Sequence, residues 1–135
     1  MLYLMKRVLS LISLGIVLVA VGSAQDDAAY IAAMKTVNPT VGAIRAAIMA
    51  KDNAAVATEA TKLAATFDTV LAYWTAKQTD DAIKLATSAR DDAKAIAAAT
   101  DSDAQTAALR TLQGVCGQCH SAHRVPAGPG VFTIK

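Results

Sequence analysis

The chain has 135 residues, 54% of them hydrophobic and 18% charged, with a formal charge of +2. That length is the length of one domain. With only 4% aromatic residues and no basic stripe, it offers no surface for nucleic acid.

The first 24 residues read as a Sec-type signal peptide that is not part of the fold. Lys6 and Arg7 form a basic n-region, Val8 to Val21 an uncharged apolar run, and Gly22-Ser23-Ala24 a small-residue cleavage site ahead of Gln25. An apolar run of about 14 residues is short of the ~20 that span a bilayer, so no membrane association is expected after cleavage. No cysteine follows the run to take a lipid anchor. The mature domain is expected over residues 25–125, in the periplasm, with a Pro/Gly-rich tail over 126–135. The mature chain has 111 residues (135 less 24), with 11 basic side chains (13 less Lys6 and Arg7) and 11 acidic ones, so it is neutral overall.

Alanine, the best helix former, is abundant throughout, and no strand-like alternation appears. Four helices are expected. The first covers about 26–50, with Ile31, Met34, Val37, Val41, Ile44 and Ile48 as an apolar stripe at steps of three and four. Pro39 predicts a kink or local break in it, because proline removes a helical hydrogen bond. Asn53 is the expected cap of the second helix, about 54–75, whose buried side is Val56, Ala60, Leu63, Phe67, Val70, Leu71 and Trp74. Thr79 caps a third helix that opens on Asp80 and Asp81, buries Ile83, Ala86, Ala93 and Ile96, and ends near Thr100. Ser102 and Gln105 form a capping box for the fourth, about 103–124, which Pro126 stops. Short connections between helices of this length predict an all-α fold, an antiparallel up-down-up-down four-helix bundle.

The fourth helix carries the chemistry. Cys116-Gly117-Gln118-Cys119-His120 is a Cys-x-x-Cys-His run, the attachment signature of c-type haem. On a helix the two thiols lie on one face about a turn apart, so each can add to one vinyl group of the same porphyrin. His120, four residues after Cys116, shares that face and can ligate the iron. Export and motif support each other, since c-type haem is attached outside the bacterial cytoplasm. A disulfide is the other reading of paired cysteines in that oxidising space. A zinc site from Cys116, Cys119, His120 and His123 fails, because four donors on one helix face cannot surround a tetrahedral ion. Many inward positions are alanine, so a large flat haem would supply much of the missing core, and the haem-free form is expected to be loosely folded.

Two stretches resemble the cytochrome c-prime family, the class II c-type cytochromes. One is Cys116 to Arg124, which is similar to the family's C-x-x-C-H-x-x-aromatic-Arg pattern, with His123 in place of the aromatic. The other is Met34-Lys35 followed by Gly42-Ala43-Ile44. The resemblance implies a four-helix bundle with one covalent haem c. Cys116 and Cys119 then form the thioethers, His120 is the proximal ligand, and Arg124 lies near its imidazole. Met34 falls at the distal position, where low-spin members bind iron through a thioether and high-spin members have a non-ligating apolar residue. Tyr30 and Ile31 stand where the family often has Arg and Gln, and Tyr30 offers a propionate a hydroxyl instead of an ion pair. A methionine on an apolar stripe is otherwise core filler. The resemblance also implies a homodimer through the first two helices.

These features lead to the expectation of a periplasmic electron carrier with His/Met-ligated haem, serving redox partner proteins that the sequence does not identify. The alternative is a high-spin protein that binds NO or CO at an open axial site, with Met34 only a wall. A third reading is a haem-bearing interaction subunit, supported only by the tail. No carboxylate pair or nucleophile–base arrangement points to an enzyme. Trp74 is expected as a buried anchor at one end of the bundle, and His123 as a packing residue near the haem edge.

Overall fold

The computed structural model describes the backbone from residue 17 and the side chains from residue 27 to the C-terminus. The signal-peptide reading of residues 1–24 falls largely outside the described residues. Four helices follow one another: α1 (Val17–Met49), α2 (Asn53–Ala76), α3 (Asp80–Ala98) and α4 (Ser102–His123). A hairpin of β1 (Arg124–Gly128) and β2 (Val131–Ile134) closes the chain. No described helix is long and apolar enough to cross a membrane.

The helices pack around one core. Val37, Val41 and Ile44 of α1 join Val56, Leu63, Phe67 and Trp74 of α2, Ile96 of α3, and Leu109 and Leu112 of α4. The inner face of α3 is otherwise alanine: Ala82, Ala86, Ala89 and Ala93, at alternating steps of four and three. That spacing keeps one narrow stripe turned inward, and its lack of side-chain bulk allows neighbouring helices to pack closely. The exposed threonines fit these helices because their hydroxyls bond back one turn, as Thr58 does to the Ala54 carbonyl and Thr111 to that of Ala107.

The two short connections at 50–52 and 77–79 are built alike. Lys51 and Gln78 take left-handed backbone angles, and the N–H groups of Asp52 and Thr79 reach back five residues to the carbonyls of Ala47 and Trp74. These bonds satisfy carbonyls that a helix end leaves open.

Several expectations are corrected. Ile31 is 47% exposed, and Tyr30 takes its place on the buried stripe, which then runs 30-34-37-41-44-48. Helix α1 passes Pro39 without a break. Pro39 and Lys35, whose carbonyl loses its helical partner, both face solvent, where water replaces the lost bond. The cap of α2 is Asp52, which accepts from the Ala55 N–H, and the cap of α4 is Asp101, which accepts from Ala104. Thr79 occupies the cap position of α3 but its side chain makes no capping bond.

Asn53 and Gln105 are instead drawn into a tertiary bond. Gln105 is fully buried, and its amide donates to the Asn53 side chain and to the Ala99 carbonyl, while Asn53 donates to Thr100. The network ties the start of α2 to the α3–α4 turn. The tail, too, is ordered: residues 124–134 form an antiparallel ribbon, turning at Gly128 and Gly130, both at positive φ. Helix α4 ends at His123, and Arg124 is already extended.

Candidate functional site

Helix α4 carries its inner stripe in two halves. Gln105, Leu109 and Leu112 are buried, while Val115, Cys116, Cys119 and His123 further along the same side are only half covered. The neighbouring helices explain the difference. The pairs α1–α2, α2–α3 and α3–α4 pack extensively, whereas α1 and α4 touch only sparingly. The motif therefore stands beside the loosest seam of the bundle. A Cβ added at Gly114 or Gly117, both exposed on α4, would meet no atom within 4 Å.

Cys116 and Cys119 are free thiols one turn apart. Burial, with the nearby Cys119 and then Asp92 adding to it, pushes the Cys116 thiol up to about 11. Burial first and Asp81 second raise Cys119. Both are neutral thiols at pH 7, unlike the low-pKa thiolates of reactive cysteines. The His120 ring is exposed, and the burial it has, then the charge of Arg124, lower its pKa. Its imidazole is thus neutral at pH 7, with a lone pair available. Among the described residues His120 makes no side-chain hydrogen bond, and no three His, Cys, Asp or Glu side chains are grouped to hold a metal ion.

Arg124 follows directly. Its N–H donates to the His120 carbonyl, and its guanidinium carbon lies 3.3 Å from the centre of the Phe132 ring. Tyr30 of α1 is buried, stacked on Tyr73 at 4.2 Å and set edge-on to Trp74 at 5.7 Å. Burial, then the nearby Cys119 and Tyr73, push its hydroxyl up to about 12, while Arg124 pulls the other way. The hydroxyl stays protonated and is a donor at every physiological pH. Tyr30, Cys119 and Arg124 thus lie near one another at one end of the bundle. Met34, one turn along α1 from Tyr30, is half-buried against the edge of the core, as is Cys116. Met49, at the end of α1, is exposed.

His123 packs on Trp74, ring centres 4.9 Å apart, and its Nε2–H donates to Asp81 Oδ2 at 2.8 Å. The bond ties the last turn of α4 to the first turn of α3. Asp81 was not legible as a partner, because 42 residues separate it from His123. The His123 hydrogen bond is the main cause that holds the Asp81 carboxyl below its ordinary value of 3.8. A depressed carboxyl stabilises the fold above its unfolded-state pKa and loses that contribution as pH falls through the lowered value. In Asp81→Asn, thermal melts between pH 2 and 7 should therefore show a shallower acid limb below about pH 4. An unchanged acid limb would count against the pairing.

A surface groove of about 470 Å³ between α2 and α3, lined mainly by alanines with Asp68 and Lys94, includes none of these residues. No family model matches the chain, and no curated protein or solved structure is detectably similar to it.

Proposed function

We propose that this chain is a periplasmic c-type cytochrome: an up-down-up-down bundle, like that of the cytochrome c-prime family, that carries single electrons on one covalent haem c. One observation carries the reading. Two free, half-buried thiols lie one turn apart on an unbroken helix, followed by a neutral imidazole, beside the seam where the bundle packs least. The residues fit the group. Their thiols are un-ionised and unbridged, and both are half-covered on the inner side of α4. The helix ends support the topology: Tyr30, Tyr73, Trp74, Asp81 and His123 meet at one end, and Asn53, Thr100 and Gln105 at the other.

When bound, the haem supplies a reversible one-electron couple. Cys116 and Cys119 would hold it through thioether bonds. His120 would offer its imidazole nitrogen to the iron. Met34 would offer a thioether, a soft sulfur donor that favours the reduced metal. Tyr30 keeps a hydroxyl donor near the motif, and Arg124 holds positive charge beside His120. The neutral mature chain suits a carrier with little long-range steering. A homodimer and redox partner proteins belong to the same reading.

Visible spectra of the oxidised and reduced protein test the axial pair. The native protein should be low-spin with a far-red thioether band, and Met34→Ala should turn it high-spin. A spectrum unmoved by the substitution removes Met34 from the ligand set. One observation favours the second reading, an open site for NO or CO: Met34 is only half-buried on a helix that barely meets α4. Rapid CO binding to the unaltered reduced protein would decide for it.

A further inference from the structure

The C-terminal hairpin grows directly out of the motif helix and is tied to its last turn at both ends. Arg124, the first residue of β1, donates its N–H to the His120 carbonyl, and Lys135, just past β2, donates to that of His123 at 3.1 Å. The register pairs Arg124 with Ile134 and Pro126 with Phe132. Directly opposed residues of an antiparallel pair point to the same side, and alternate positions along a strand do too. These four side chains therefore share one face of the ribbon. Ile134 packs against the edge of the core, so this is the face turned toward the bundle. Phe132 nonetheless remains 47% exposed.

The position of that ring follows from the guanidinium it touches. Arg124 is bonded to the backbone of His120, and its charge is felt by the His120 imidazole and by the Tyr30 hydroxyl across the α1–α4 seam. At 3.3 Å from the Arg124 guanidinium carbon, the Phe132 ring is placed close to the end of the motif helix, where Arg124 bonds the His120 carbonyl. A guanidinium stacked on a ring keeps its in-plane N–H groups free, so Arg124 can hold the aromatic and still face an anion. A half-exposed phenyl beside a site for a large apolar plane has area to bury there, and aromatic rings gain beyond area when they pack on other π-systems.

We propose that the hairpin is a wall of the porphyrin site and that Phe132, held by Arg124, packs on the porphyrin. This rests on the haem reading above. The chain has two phenylalanines, and the other, Phe67, is buried in the core. Proton NMR of the reduced holoprotein, with CO added if the iron is high-spin, reads the contact directly, using Phe132→Leu to assign the ring. The Phe132 ring protons should be displaced from their positions in the haem-free Cys116→Ala/Cys119→Ala chain, upfield for a ring over the porphyrin face and downfield for one at its edge. Phe132→Leu should keep its full complement of covalent haem, and Phe132→Trp should again show displaced ring protons at that position. A haem-loaded protein whose Phe132 protons sit where they do without haem overturns this inference alone. A chain that takes up no haem overturns both.

Discussion

A Cys116→Ala/Cys119→Ala variant is expected to leave the cell interior, fold as helix and carry no covalent haem. The loss should be complete, because a thioether needs sulfur and no other cysteine exists in the chain. Each single variant should keep one bond. Neither thiol is an activated nucleophile, since burial raises both. Haem staining of a denaturing gel, with the intact mass, checks the result. The double variant should also melt lower than the holoprotein, since a tightly held group stabilises the state that binds it. Haem stain persisting in the double variant would end the proposal.

Trp74→Ala should be the most damaging single core substitution. Trp74 is 2% exposed, the largest of the fully buried side chains, and it touches Tyr30 and Tyr73 edge-on and His123 at a tilt. Truncating such a residue costs about 3–5 kcal/mol. A domain of this size has only ~5–15 kcal/mol in all. The core elsewhere is rich in alanine and has little to reorganise into the cavity. Chemical denaturation followed by circular dichroism should show the haem-free form of the variant largely unfolded, and Trp74→Phe should lose less. Since His123 leans on this indole, the last turn of α4 should loosen with it. A denaturation midpoint within error of the parent would show that Trp74 is not the anchor described.

What the sequence allowed a reader to see was local. Stripes at steps of three and four located all four helices to within a few residues at most boundaries, since each turn repeats the same burial. The motif was legible because its chemistry lies within five consecutive residues. The caps were missed by one residue: Asn53 and Gln105 look like capping residues but are claimed by a bond spanning 52 residues, leaving Asp52 and Asp101 to cap. Asp81 resembled an ordinary acidic first-turn residue, and only the fold brings His123 to it. The hairpin did leave a signal. Val131-Phe132-Thr133-Ile134 is rich in strand formers, and Gly128-Pro129-Gly130 is turn chemistry. Glycine and proline content outweighed that signal in the reading of the tail. Ile31 and Tyr30 changed places because a six-residue apolar series fixes a helix face only to within about one position.

The inner face of α3 has a consequence for how this chain tolerates change. Ala82, Ala86, Ala89 and Ala93 are nearly or wholly enclosed, and α3 packs extensively against α2 and α4. Adding even a few carbons at such positions forces backbones apart, at about 1–3 kcal/mol each. The residues that contribute least surface thus set the spacing of the whole frame, and they leave the least freedom for sequence drift. The bulky exposed positions, Met49 and Ile31, are free to vary by comparison.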